Sequence, residues 1–352
     1  MLPIRLTELE NQVLKIESIA AARTARGASA VDGRPAPSEG ITRPAVQGQI
    51  GFIGLGRMGK AIAANLAADG HDVIAHVRRE EQMESLSALG LRPTADLAGV
   101  FDCQIIVTML PDDVAVSEIV FGRGDDRIHS LARGMMPGAI HLSMSTISTG
   151  MASLLASEHE RHGQGYVAAP VFGNPDAAKA RELFIVAGGS PDYLDRCQPI
   201  LEAIGQQVFR VGNDPAAANL IKLAGNAMSA VTLEILAEVL TLARKRGFDP
   251  RHLLAILTGT MFGSRVHKIY GGKIAEQQYA TGGFVFPLAL KDVHLALNEA
   301  ERAGVPMPSL SVVRDRLITG IARGYSGRDW SALGMLAAEE AGLGVEGSQA
   351  GV

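Results

Sequence analysis

Hydrophobic positions follow one rule in the first 47 residues and another in the rest of the chain. Leu6, Leu9, Val13, Ile16 and Ile19 recur three or four apart, the apolar stripe of a short helix, and Thr7 with Glu10 makes a capping box. After Ala20 the period dissolves into Gly, Pro, Ser and Arg, so a disordered linker is expected up to residue 47. Glu8 and Glu10 interrupt any signal-peptide core, and Glu17 is foreign to an acid-poor transit peptide. Residues 1–47 therefore read as an extension outside the globule, with a helix that docks on a partner subunit as the alternative.

From residue 48 the period switches back and forth. Strand-like apolar runs fall at 49–54, 72–77, 104–109, 139–143, 166–169, 183–187 and 207–211, and amphipathic helical stretches separate the first several. Such alternation predicts parallel strands with crossover helices, a doubly wound α/β sheet. After Asp214 and Pro215, an N-cap and a first helical residue, the strand signal stops. No proline interrupts from 216 to 249 and Gly247 supplies the stop, so one helix of about 31 residues and ~46 Å is expected. Further helices are predicted at about 250–262, 287–304 and 308–324, making the C-terminal half all-helical. The resulting division is 48–212 for the α/β domain, 213–342 for the helical domain joined to it by the long helix, and 343–352 for a flexible tail.

Composition narrows the class of protein. A length of 352 residues suits two domains, and 47% hydrophobic with 20% charged residues excludes wholesale disorder. A net charge of −4 points to neither nucleic acid nor an anionic membrane as a bulk partner. No unbroken apolar run reaches the ~18 residues of a membrane span. Two cysteines build no disulfide framework, which favours a reducing, cytoplasmic setting, and both Cys103 and Cys197 read as core or surface thiols. His159 and His162 are placed on a polar helix end, no His/Asp/Glu group has metal-ligand spacing, and Trp330 reads as a packing residue.

Candidate chemistry begins where the first strand ends, at Gly54-Leu55-Gly56-Arg57-Met58-Gly59. A lone G-x-G-x-x-G is weak, but this one follows an apolar strand and opens an amphipathic helix, the Rossmann-type context for a dinucleotide. Gly54 permits the turn, Gly56 lets backbone approach a pyrophosphate, and Gly59 lets helix and strand pack closely; the helix N-terminus supplies N–H groups. A nucleoside-triphosphate P-loop fails at Ala61, where a hydroxyl would be needed. At the end of the second strand, where NAD binding expects an acid, the chain carries Arg78 and Arg79. Two guanidiniums suit a 2′-phosphate, so NADP(H) is preferred and NAD(H) is the alternative; Glu80 and Glu81 are the rival partners for these arginines.

A second constellation lies on the long helix. Asn219, Lys222, Asn226 and Ser229 recur at spacings of three and four on an otherwise apolar helix, with a single charge among amides and a hydroxyl. A lysine in a partly desolvated cleft has a lowered pKa and exchanges its proton near neutrality, so Lys222 is a candidate acid/base with Asn226 as helper. A plain surface lysine is the alternative. Gly225 leaves room for something bulky to come close.

Six motifs in order, GFIGLGRMG, MLPDD (109–113), SMSTIS (143–148), AAPVFGN (168–174), KLAGN (222–226) and FPLALKD (286–292), resemble the β-hydroxyacid dehydrogenases. The resemblance covers roughly 49–340 and implies a Rossmann domain, a long linking helix and a helical domain through which homodimers or homotetramers form. It implies catalytic roles for Lys222 and Asn226, and it lays Met109, Leu110 and Pro111 along the cofactor with Thr146 at the nicotinamide. Ser145 would contact substrate or the nicotinamide amide, and Lys291 would reach the cofactor or substrate from the helical domain. The implied activity is hydride transfer between a hydroxyacid, or related alcohol, and its semialdehyde or ketone. An imine or other C=N/C=O reductase and a non-catalytic dinucleotide sensor are the alternatives, and Lys222 counts against the imine reductases. One stretch departs from the family: where its substrate loop has Ser-Gly-Gly, this chain has Phe172, Gly173 and Asn174, and Ser143 replaces an Asp. The loop is expected to disfavour the smallest hydroxyacids and to favour a substrate with an apolar portion or one that uses the Asn174 amide.

Overall fold

The computed structural model describes residues 48–123, 130–281 and 283–344; the predicted extension 1–47 and residues 345–352 of the predicted tail lie outside them. Six strands, β1 (Ile50–Ile53), β2 (Val73–His76), β3 (Arg92–Thr94), β4 (Ile105–Thr108), β5 (Ile140–Ser143) and β6 (Gly165–Ala168), form a parallel sheet in the order β3-β2-β1-β4-β5-β6. Every residue of β1, β4, β5 and β6 is buried, as strands covered on both faces must be. Helices α1 (Arg57–Ala68), α2 (Asp113–Phe121) and α3 (Thr149–Arg161) cross over between them. The strand order reverses between β1 and β4, which opens a crevice at their carboxyl ends.

A second, three-stranded sheet follows, built from β7 (Val171–Phe172), β8 (Leu183–Ala187) and β9 (Gly205–Arg210), with helices α4 (Pro175–Lys179) and α5 (Pro191–Ile204) between. β7 runs antiparallel to β8, with Phe172 opposite Phe184, whereas β8 and β9 are parallel. Pattern reading places the runs at 183–187 and 207–211 in the doubly wound sheet, because strand pairing leaves no trace in periodicity. It also passes over β3 and β7, which at three and two residues are too short to show a period.

The long helix α6 (Pro215–Lys245) spans 31 residues, capped by the Asp214 carboxylate, which accepts from Ala216 N at 2.9 Å, and ended by Gly247 at φ +73°. Ala218, near its start, joins the apolar cluster beneath the large sheet, while Leu223, Leu233 and Leu240 enter the helical core. That core gathers α7 (Pro250–Thr258), α8 (Arg265–Ala275), α9 (Phe286–Arg302), α10 (Pro308–Ala322) and α11 (Leu333–Glu340). The helix expected to 262 stops at Thr258, and α8 begins only at Arg265. α8 holds Gly271, whose ideal Cβ would lie 2.6 Å from Leu254, so the glycine that hides the helix from sequence reading is a packing contact. Trp330 is buried, edge-on to Tyr270 and Phe284.

One expectation is corrected. His159 is not on a polar end: with Ala152 and Leu155 it forms the buried stripe of α3. It lies in a closed chain in which His141 meets Thr108 Oγ1 and His159 at 2.8 Å each, and His159 meets Gln164 at 2.7 Å. Burial holds both histidines neutral, His159 at about 4.

Candidate active site

The Gly-rich turn after β1 is held in a shape that side chains would prevent. Gly54 has φ +98°, and an ideal Cβ there would lie 2.3 Å from Met109 O; at Gly59 it would lie 2.0 Å from Gly54 O. At Gly56 it would meet nothing within 4 Å, so the space beside this residue is open to a ligand. Gly56 caps α1 without a side chain, and the first turn holds no acid, which leaves its N–H groups and positive dipole end available. Leu55 and Met58 pack on the core, while Arg57 is exposed. This donor set fits a dinucleotide pyrophosphate.

Arg78 and Arg79, just past β2, are both exposed, and among the described residues neither guanidinium makes a hydrogen bond or ion pair; the Arg79 carbonyl accepts from Gln82 N at 3.1 Å. Glu80 and Glu81 instead begin a helical turn of their own. Across the crevice, Met109 N donates to Ile53 O at 2.9 Å and Leu110 N to Ser145 Oγ at 2.8 Å. The Met109-Leu110-Pro111 segment is therefore pinned between the carboxyl ends of β1 and β5. Ser145 is buried, and its hydroxyl is engaged in that tie.

Lys222 lies on α6 and is only 8% exposed. Its Nζ donates to Asn226 Oδ1 at 3.0 Å, and Asn226 Nδ2 donates to Asp292 Oδ2 on α9 at 2.5 Å. Lys291 is ion-paired with Asp292 at 2.6 Å and donates to Thr146 O at 2.7 Å, joining α9 to the end of β5. Burial pulls the Lys222 ammonium down from 10.5 to about 8; the Asp292 carboxylate opposes that fall and the Lys291 cation adds to it. A half-titrating ammonium with a fixed acceptor is a proton donor or acceptor near neutrality. Thus Lys222, Asn226, Lys291 and Thr146 come together as one cluster. Asn219 is buried with neither side-chain atom partnered among the described residues, and Ser229 turns back to Gly225 O at 2.9 Å.

The loop after β6 brings one of its candidate residues to the lysine and uses another as a helix cap. Phe172 lies against α6, with Lys222 Nζ 4.5 Å from its ring centroid. Gly173 has φ +145°. Asn174 is exposed, and its Oδ1 accepts from Ala177 N at 2.8 Å as the cap of α4, which leaves only its Nδ2 uncommitted.

Residues 49–212 match the family described as the NAD binding domain of 6-phosphogluconate dehydrogenase. Residues 216–337 match that of NAD-binding of NADP-dependent 3-hydroxyisobutyrate dehydrogenase. The oxidoreductase YfjR of Bacillus subtilis is 36% identical over 287 residues, covering 81% of this chain and 98% of its own. The 2-hydroxy-3-oxopropionate reductase of Escherichia coli is 30% identical over 289 residues, covering 81% and 95%. The chain belongs to the β-hydroxyacid dehydrogenase family. The solved 3-hydroxyisobutyrate dehydrogenase of Mycobacterium tuberculosis with L-serine shares the fold of this β-hydroxyacid dehydrogenase at a TM-score of 0.73 and 25% identity, covering 82% of this chain and 98% of that one. The family makes this chain an NAD(P)-dependent hydroxyacid dehydrogenase or reductase.

Sequence reasoning missed Asp292 in this dehydrogenase. A signal was present: in α9 Asp292 shares the buried face of Phe286, Ala289, Val293 and Ala296, an anion on an apolar stripe. An acid there needs a partner, and Asn226 with Lys291 supplies it.

Proposed function

We propose that this enzyme interconverts a hydroxyacid, or a related alcohol, with its semialdehyde or ketone, using NADP(H), and that Lys222 is its acid/base. One observation carries the reading: Lys222 is buried, its proton affinity is lowered to about 8, and its Nζ is held by an amide that Asp292 fixes in turn. A general acid or base works best with a pKa near the operating pH. When bound, the dinucleotide supplies or takes up hydride at its nicotinamide C4. In reduction, the protonated Lys222 gives its proton to the carbonyl oxygen; in oxidation, neutral Lys222 takes the proton of the hydroxyl. Asn226 presents Oδ1 to Nζ because its Nδ2 is committed to Asp292, so the lysine is aimed rather than free to rotate. Lys291, held on Thr146 O, would face the nicotinamide together with Thr146. Arg78 and Arg79 supply charge-assisted donors for a 2′-phosphate.

A second copy of the chain also belongs to the proposed functional form. Ile221, Met228, Ile235 and Leu242 are spaced seven apart on α6 and lie 41%, 74%, 49% and 62% exposed. Lys222→Ala and Lys222→Met tests the acid/base: both variants are expected to bind NADPH as wild type does and to lose turnover by ~10² or more, the scale of a general acid/base contribution. Near wild-type kcat in either variant refutes the assignment.

A further inference from the structure

We infer that Phe172 and Gly225 form a matched pair that lays an aromatic wall beside Lys222, so that the substituent facing that wall next to the reacting carbonyl is neutral and apolar or aromatic, and a substrate carboxylate lies away from the ring. This rests on Lys222 being the acid/base. An oxygen that exchanges a proton with Lys222 Nζ must come within about 3 Å of it. Nζ itself is 4.5 Å from the centroid of the Phe172 ring. The reacting carbon and its nearest substituent therefore come within reach of that ring. An aromatic face is electron-rich and carries no hydrogen-bond donor. A carboxylate laid on the ring loses water there and receives no donor from it, whereas a flat or branched hydrocarbon group buries apolar area against the ring.

Gly225 is what allows the ring to be there. An ideal Cβ at Gly225 would lie 2.4 Å from both Cε1 and Cζ of Phe172, closer than side chains approach. The ring has little freedom to retreat. Phe172 pairs with Phe184 in the β7–β8 ladder, and the preceding Val171 is buried. Gly173 follows at φ +145°, with an ideal Cβ 2.6 Å from Leu183, and Asn174 then caps α4. The Phe184 face is already occupied, with the Arg265 guanidinium 5.6 Å from its centroid. The inner ring is thus the aromatic surface next to the lysine, and a residue 53 positions away on another element is shaped to receive it.

The test is a set of kcat/KM ratios with NADPH, comparing aldehydes that carry a neutral aryl or branched alkyl group beside the carbonyl with semialdehydes of matched size that carry a carboxylate there. Wild type should favour the neutral series at least tenfold. Phe172→Ser should reverse or erase that ratio, and Phe172→Leu, which keeps an apolar wall, should preserve its direction. Gly225→Ala should lower kcat/KM on the neutral series about tenfold or more, and Phe172→Ala added to Gly225→Ala should recover most of that loss. NADPH titration and thermal melts establish that each variant is folded and loaded. A wild-type preference for the carboxylate series refutes the inference, as does a ratio insensitive to Phe172→Ser or a Gly225→Ala variant as active as wild type. Lys222→Ala separates the two readings. If it keeps its turnover, the acid/base role fails and this inference fails with it; if it loses turnover while the ratios ignore Phe172, only the pairing is wrong.

Discussion

At the scale of single residues, the centre of the molecule is a lysine whose proton is held by one anion and loosened by burial. Since Lys222 titrates near 8, the two directions of the reaction should show opposite limbs. Reduction uses the charged form, so its kcat/KM should be level below about 8 and fall as pH rises through it. Oxidation uses the neutral form, so its kcat/KM should rise through the same pH and then level. Matching limbs in both directions, or no limb between pH 7 and 9, would contradict the assignment. Asp292 raises the Lys222 pKa, so Asp292→Asn, which removes the charge but keeps the shape, should move both limbs to lower pH by about one unit or more. Unmoved limbs would reduce Asp292 to a packing partner. Lys222 and Asn226 were legible in the sequence because polar residues at helical spacing interrupt an apolar helix. Asp292 was passed over although it falls on the apolar stripe of α9, because beside Lys291 it reads as half of an ordinary charged pair until α9 is docked on α6. The fit of Phe172 to Gly225 was half legible: the glycine announced a close approach, but what approaches depends on the pairing of a two-residue strand.

At the scale of elements, the turn from β1 into α1 separates folding from binding with two glycines three residues apart. Gly59→Ala would force a methyl to within 2.0 Å of Gly54 O, so α1 must leave the sheet at a cost of about 1–3 kcal/mol, with a lowered Tm and weakened cofactor binding. Gly56→Ala meets no protein atom within 4 Å and has an ordinary extended backbone at φ −67°, ψ −170°. It should melt within about 1 kcal/mol of wild type and yet bind NADPH at least tenfold more weakly, because the methyl occupies the space left for the pyrophosphate. Fluorescence titration alongside melting curves reads both; wild-type affinity in Gly56→Ala would move the phosphates elsewhere. One turn beyond β2, Arg78→Ala with Arg79→Ala should weaken NADPH binding about 10- to 150-fold for each bidentate guanidinium–phosphate pair removed, ~1.5–3 kcal/mol, while NADH affinity stays the same. Equal weakening for both dinucleotides would remove the 2′-phosphate from these side chains. These elements were readable because strand, glycines and helix occur in the order the chemistry needs. The second sheet was not, since β7 is too short for a period and nothing in the runs at 183–187 and 207–211 says that they pair with each other and leave the large sheet.

At the scale of the whole molecule, α6 is the shared member. Its first turns pack beneath the large sheet, its middle carries Lys222, and its remainder runs through the helical core. An 18-residue window of it, with mean hydropathy 1.4, is long and apolar enough to cross a membrane, but 44% of that window is buried inside the protein. The sequence foretold the length of α6 but not its two-sidedness, because apolar residues on a long helix read as core until the neighbours are known. Ile221, Met228, Ile235 and Leu242 stay exposed, and a seven-residue period keeps them on one slowly drifting stripe, the pattern by which one helix meets another of its kind. Each large apolar side chain removed from water contributes up to about 1.5–3 kcal/mol, so a two-fold pairing that covers the stripe from both copies is amply driven. Wild type should therefore sediment as a multiple of the 37.0 kDa chain, with a Tm that rises with protein concentration. Met228→Glu with Ile235→Glu places charges in the middle of that interface and should yield the 37.0 kDa species, with a lower Tm that no longer depends on concentration. A wild type that is monomeric across micromolar concentrations, or a double variant that sediments as wild type does, would mean that something other than a second copy covers α6.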